Sequence, residues 1–355
     1  SSQIGTLPRK ARAGPDRAKK IRRLSILTPA VRQTNKTQEP GTRARFVGRR
    51  ENTMQKITPH LWFDKQAREA AEFYVSLLPG SKVTRVTTLS GTPSGDCELV
   101  SFELAGLPLM AIGAGPLFKF NPSVSFHIKC GTKEEVDAIW ERLSPGGKVL
   151  MPLDKYPFSE RFGWLEDRFG LSWQVIHDGG NSAGQRITPV LMFVGAVCGK
   201  TEEAIGFYAS VFRNAPDSAR IGATKADVLA RYGKGEEPDK EGTVRYAHFS
   251  LAGQEFGAMD SARGHKFAFN EATSFIVPCD TQAEIDYFWE KLSADPNAGQ
   301  CGWLKDKYGL SWQITPAFMQ QFLSGDDKQR VGRVTQAFLK MKKFDLGALE
   351  RAAAG

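Results

Sequence analysis

Three imidazoles in this 355-residue chain sit where a side chain could do chemistry: His60, His127 and His248. Each falls on one parity of a short stretch in which apolar and polar residues alternate, as in a strand with one buried face. Trp62, Ser125 and Gln174 share that parity in the first half of the chain, and Met192, Tyr246 and Gln313 share it in the second. Imidazole can move a proton near pH 7 or orient a ligand through one hydrogen bond. His60 is therefore the catalytic candidate, as acid/base or as orienting group. Trp62 would stack on the ligand and Gln174 would hydrogen-bond to it. Ser125, His127, Met192, His248 and Gln313 complete the expected ligand-binding set. The same alternation also describes a solvated outer sheet face. No Ser-His-Asp spacing can be read around the serines of this face. Cys301 has Phe162 as its counterpart, so the two halves cannot share thiol chemistry, and a buried inert thiol is expected.

The elements that position these residues occur twice. Ile57-Thr58-Pro59 returns as Ile187-Thr188-Pro189, and the helix-forming Glu69–Tyr74 returns as Glu203–Tyr208. Phe118-Lys119-Phe120-Asn121 returns as Phe267-Ala268-Phe269-Asn270, and Thr132–Ser144 as Thr281–Ser293. Gly163-Trp164-Leu165 through Gln174 returns as Gly302-Trp303-Leu304 through Gln313. Order is kept and loop lengths change, the mark of a duplicated domain. The second copy gains residues between Arg213 and Gly242, and after Ser293 it lacks the counterpart of Pro145–Glu160.

Inside a copy, residues 57–63 alternate as a half-buried strand. Ala70, Phe73, Tyr74, Leu77 and Leu78 then form one helical stripe, stopped by Pro79-Gly80. Strands follow near 82–89, 97–104 and 107–113. A second round begins with a strand at 123–129 and a helix carrying Val136, Ile139, Trp140 and Leu143. Thr132 and Glu135 have capping-box spacing at its start. Strands near 147–152, 161–166 and 171–176 close it. Each copy is two βαβββ modules, and the chain has four. Trp173 and Trp312 are expected in the core, Asp167 and Asp306 in hairpin turns, and Asn121 and Asn270 as caps before the fifth strand of each copy.

Charge is uneven. Residues 1–53 hold fourteen Lys+Arg and three acids, whereas the rest holds 34 basic and 36 acidic residues, a net of −2. The formal +9 of the whole chain therefore belongs to the tail, and nucleic acid is not an expected partner of the folded part. The tail is expected to be disordered. It reads first as an upstream extension with Met54 the natural start, and otherwise as an Arg-rich targeting peptide or a basic arm for nucleic acid or acidic partners. No apolar run has the ~18 residues of a membrane helix. Five cysteines without a C-x-x-C pair fit a reducing, cytoplasmic compartment. The division is a tail at 1–53, a first domain at 54–178, a linker at 179–186, a second domain at 187–316 and C-terminal helices at 317–355.

The repeated strings I-T-P-H-L-W-F-D, E-A-A-E-F-Y, F-K-F-N, F-W-E-K-L and G-W-L-K-D-K-Y-G-L-S-W-Q resemble the PhnB-like branch of the vicinal oxygen chelate superfamily, which includes glyoxalases, bleomycin-resistance proteins and dioxygenases. Such domains often carry the label 3-demethylubiquinone-9 3-methyltransferase. The resemblance implies an α+β fold of tandem glyoxalase-like domains. Each would be built from two βαβββ modules in an incomplete eight-stranded barrel, with dimer-like packing of modules.

Metal-using members would place ligands at His60, at His127 and at Gln174, where a terminal Glu is usual. Those are neutral groups with no anion, and Glu103 lies on a neighbouring strand. The second copy has Val190, Ile276 and Gln313 at the same places, so no metal is expected. No cofactor is expected either. Gly113-Ala114-Gly115-Pro116 lacks the third glycine and following helix of a nucleotide-type turn, and the methyltransferase label has no cofactor motif behind it. The expected function is binding of a small organic ligand in a sheet cleft, with metal-independent chemistry. The rivals are a metal-dependent lyase, isomerase or dioxygenase and a ligand-sequestering resistance-type protein. Self-association is left open.

Overall fold

The computed structural model describes residues 57–180, 184–216, 225–295, 297, 299–323 and 327–355. The basic tail lies outside them, as does the centre of the linker.

The first module is β1 (Thr58–Phe63), α1 (Ala67–Leu77), β2 (Lys82–Thr92), β3 (Gly95–Leu104) and β4 (Leu107–Gly113). The second is β5 (Val124–Cys130), α2 (Lys133–Leu143), β6 (Lys148–Tyr156), β7 (Ser159–Glu166) and β8 (Ser172–His177). The second copy supplies β9 (Ile187–Val194), α3 (Thr201–Arg213), β10 (Lys225–Arg231), β11 (Val244–Leu251) and β12 (Gln254–Ser261). Then come β13 (Thr273–Cys279), α4 (Gln282–Leu292), β14 (Trp303–Lys305) and β15 (Ser311–Pro316). The fourth module is one strand short, because the residues that make β6 have no counterpart after Ser293. The C-terminal stretch forms α5 (Met319–Phe322), α6 (Lys328–Phe338) and α7 (Leu346–Ala354).

The four modules make two sheets, and each sheet joins modules from different copies. The seven-stranded sheet runs β14-β15-β13-β1-β4-β3-β2, and the eight-stranded sheet runs β10-β11-β12-β9-β5-β8-β7-β6. The joins are the antiparallel pairs β1–β13, with His60 opposite Ser274, and β5–β9, with His127 opposite Thr188. The expected pairing of His60 and Trp62 with Gln174 is thereby corrected. β1 pairs with β13 of the second copy, which pairs in turn with β15, so the terminal glutamine on the same face as His60 is Gln313. The Phe-x-Phe-Asn strings explain part of the preference. Asn121 donates to the Ala268 carbonyl at 3.0 Å and Asn270 donates to the Lys119 carbonyl at 2.8 Å, a reciprocal clasp between copies. Each Asn also accepts from a backbone N–H two residues on, the capping role read from the sequence.

Within a copy, the helix-bearing faces of its two modules meet. The first copy's core gathers Leu61, Phe102, Tyr74, Phe126 and Trp173, which come from both sheets. At its centre lies Asp167, 3% exposed, accepting from Tyr74 Oη and Trp173 Nε1, each at 2.8 Å, and from the backbone N–H groups of Phe169 and Leu171. The second copy repeats this around Asp306, with Tyr208, Trp312 and the amides of Tyr308 and Leu310. Asp167 and Asp306 are turn residues, as expected, and also the anchors that tie the first helix of a copy to its last strand. Burial raises the Asp167 carboxyl above its ordinary range, opposed by Trp173, Tyr74 and the two amides.

Capping also differs slightly between copies. Thr281 and Glu284 form a full capping box. Thr132 accepts from Glu135 N–H, but the Glu135 carboxylate turns to Gly131 N–H and Arg186.

The anchor yields a prediction. Tyr74→Phe removes one hydrogen bond to a buried carboxylate and is expected to cost about 2 kcal/mol. Asp167→Ala strands four donors and is expected to cost more than that. Urea unfolding at pH 7 reads both, and an unshifted midpoint for Tyr74→Phe would refute the anchoring role.

Candidate functional site

Strand parity divides each sheet as the sequence implies. Leu61, Phe102, Phe126 and Trp173 lie under the helices, while His60, Trp62, Ser125, His127 and Gln174 lie on the opposite faces. In the seven-stranded sheet that opposite face borders a cavity of about 220 Å³. One wall is Thr58, His60 and Trp62 of β1, with Leu99, Met110 and Ile112 behind them. Another is Ile276 and Pro278 of β13 with Trp303, Gln313 and Thr315. The C-terminal stretch closes it with Met319, Leu323, Phe338 and Phe344. Among the nineteen lining residues there is no Asp, Glu, Lys or Arg.

His60 is 3% exposed, and its Nδ1 has no hydrogen-bond partner. Burial alone lowers its pKa to about 3, so the ring is neutral at pH 7. It meets Trp303 edge-on at a centroid distance of 5.4 Å, and Trp303 meets Trp62 at 6.0 Å. Trp62 is held by its own Nε1, which donates to the Gly115 carbonyl at 2.8 Å. Gln313 is buried and donates to Ser274 Oγ at 2.9 Å. His60, Trp62 and Gln313 are thus brought together. Ser125, His127, Gln174, Met192 and His248 are on the other sheet.

The second face is built from the same positions with different side chains. Gln174 donates to Ser125 Oγ at 2.7 Å, the counterpart of the Gln313–Ser274 pair. Tyr246 Oη lies 3.3 Å from His127 Nδ1, and Phe162 meets His127 edge-on at 6.3 Å. Tyr156 and Phe158 extend that ring cluster. Where this face has Tyr246 and Phe162, the cavity has Leu99 and Cys301. Gly257 permits the arrangement, since a Cβ there would meet Tyr246 Oη at 2.8 Å. Burial, then Lys129, lowers His127 to about 4. His248 lies 3.4 Å from the Glu255 carboxylate at a half-exposed edge, and Met192 is buried.

Two further residues matter that sequence reasoning did not place in a site. Trp303 lies in the cavity wall, whereas its counterpart Trp164 donates to Ser172 Oγ at 2.8 Å; the corresponding Ser311 Oγ has no partner. Cys301 lines the cavity too, with its thiol pushed up by burial and its Sγ 3.8 Å from the Leu339 carbonyl. The signal for both was the difference between aligned copies, Phe162 against Cys301.

The donor set does not fit a divalent metal. Among the described residues no three His, Cys, Asp or Glu side chains converge, and the cavity presents His60 and Gln313 without a carboxylate. Nor does the Gly113–Pro116 turn fit a nucleotide-type cofactor, because it leads from β4 to β5 with no helix behind it.

The family model described as 3-demethylubiquinone-9 3-methyltransferase matches residues 55–176 and again residues 185–315. A PhnB protein from Bacillus cereus is 37% identical, covering 35% of this chain and 99% of its own, with a TM-score of 0.33. A glyoxalase I mutant from Zea mays is 12% identical, covering 75% of this chain and 94% of its own, with a TM-score of 0.45. The fosfomycin resistance protein FosX from Listeria monocytogenes is 16% identical, covering 35% and 91%, with a TM-score of 0.27. No curated protein matches the chain.

The two buried imidazoles make stability depend on pH in a stated direction. Their folded pKa values lie below the ordinary 6.5, so the unfolded chain takes protons that the folded chain refuses. Stability is full above about pH 6.5 and falls as pH drops toward 4, by roughly 1.4 kcal/mol per unit and histidine at the limit. His60→Asn is expected to lose about 2 kcal/mol less than the parent between pH 7 and pH 5. Urea midpoints at the two pH values measure this, and equal losses in parent and variant would contradict the buried neutral ring.

Proposed function

The chain belongs to the 3-demethylubiquinone-9 3-methyltransferase family, with the tandem PhnB-like, glyoxalase-type fold, and we propose that it binds a small organic ligand in the cavity of the seven-stranded sheet. The observation that carries this is a buried His60, with an unpaired Nδ1, in the wall of that cavity. A buried polar atom without a partner costs about 1–3 kcal/mol, which a ligand hydrogen bond offsets. Trp62 and Trp303 supply ring surface beside it, and Gln313 supplies a second polar contact.

His60 acts here as an orienting group. With a pKa of about 3 the ring is neutral at pH 7, so it is not a general acid and is a weak base. The other titratable side chain in the lining is Cys301, whose thiol stays protonated. These features support retention of a ligand, as in a sequestering protein, over acid–base turnover. The same donor set supports metal-independent function. Among the described residues no helix is long and apolar enough to cross a membrane, and the five free cysteines suit a reducing, cytoplasmic setting.

Ligand-observed NMR with a library of fragments the size of a substituted benzene tests the assignment. His60→Ala is expected to weaken the bound fragments tenfold or more, while Gln174→Ala, on the other sheet, leaves them unchanged. Fragments indifferent to His60→Ala, or lost with Gln174→Ala, would remove the site from this cavity.

A further inference from the structure

We infer that the C-terminal stretch makes the cavity selective for an uncharged aromatic ligand carrying one hydrogen-bonding group, with Phe338 and Met319 closing it over the ring. The inference rests on the cavity of the preceding section as the ligand site. The family match ends at residue 315, yet Pro316, Ala317, Met319, Leu323, Phe338 and Phe344 all line the cavity. That wall therefore lies outside the matched residues.

The wall is firmly seated. β14 lacks the outer neighbour that β6 gives β7 in the first copy. Its approach strand is paired by the C-terminal stretch instead: Cys301 N–H donates to the Met341 carbonyl at 2.8 Å and Gly302 N–H to the Lys342 carbonyl at 2.7 Å. Gly302 has φ +80°, and a Cβ on it would lie 2.4 Å from the Phe344 ring, so only glycine lets Phe344 reach this place. On the opposite side Gln336 reaches the Gly91 carbonyl of β2, and α6 packs on that strand. The stretch thus spans from the second copy to the first across the cavity mouth.

The chemistry of the lining selects the ligand. No charged side chain faces the cavity, so a buried ionic ligand would stay unpaired. The unpartnered His60 Nδ1 marks one hydrogen-bonding position. Trp62, Trp303, His60 and Phe338 offer ring edges and faces around it, which favours an aromatic body. The volume of about 220 Å³ exceeds the ~150 Å³ of a dry cavity that takes benzene, so a substituted ring fits.

Calorimetric titration of the full chain with phenol, 4-methylphenol, benzoate and cyclohexanol tests this. The phenols are expected to bind at least tenfold more tightly than benzoate or cyclohexanol. Phe338→Ala and, independently, Met319→Ala are expected to weaken phenol tenfold or more, each checked for folding by its thermal midpoint. Phe338→Trp is expected to exclude phenol. Binding of phenol through His60 at the parent affinity in both wall variants overturns the role of the C-terminal wall and leaves the site standing. Preferential binding of benzoate or cyclohexanol through His60 overturns the ligand class. Failure of every probe in the parent chain, with the fragment library also silent, overturns the site itself.

Discussion

The fold depends on a carboxylate held away from water by four donors. Asp167 collects a tyrosine hydroxyl, an indole N–H and two backbone amides, and Asp306 does the same in the second copy. A buried carboxylate without such partners would cost several kcal/mol. With them it specifies one arrangement, because Tyr74 belongs to the first helix and Trp173 to the last strand. The helix faces of the two modules must therefore pack together, and their opposite faces must look outward. Each copy has its own core for this reason, and neither copy can complete a sheet by itself.

Completion across copies follows. β1 finds β13, and β5 finds β9, so each concave face takes half its residues from either copy. In a pair of identical chains the two faces would be alike. Here duplication has placed both halves in one chain, and the faces differ. One has Leu99, Ile276 and Cys301 where the other has Tyr246, His127 and Phe162. Smaller side chains leave a cavity beside His60, and larger ones stack rings over the sheet. The two terminal glutamines keep the same kind of serine partner in both faces, while the imidazoles and rings around them differ.

Much of this was legible in the sequence, and the gaps have physical causes. Helical stripes and strand alternation report which side of an element is buried, and they placed Trp173 below the sheet and His60 above it. They cannot report which module pairs with which, since all four carry the same pattern. Hence His60 was matched with Gln174, although Gln313 is chemically identical and is the true neighbour. Asp167 reads as a turn residue because Asp is common in turns. Its burial depends on Tyr74, ninety-three positions away. Trp303 could be told from Trp164 only by asking what replaced Phe162.

The shortened fourth module and the C-terminal stretch are two sides of one constraint. Removing the outer strand from beside β14 would leave backbone donors of residues 301 and 302 facing solvent or apolar side chains, an open edge that invites wrong pairing. The carbonyls of Met341 and Lys342 satisfy those donors. A segment that docks there must cross the concave face to reach β2, and in crossing it brings Phe344, Phe338 and Leu323 over His60. Burial beneath this wall keeps the imidazole neutral. Repair of a sheet edge and enclosure of a binding site are thus the same set of contacts.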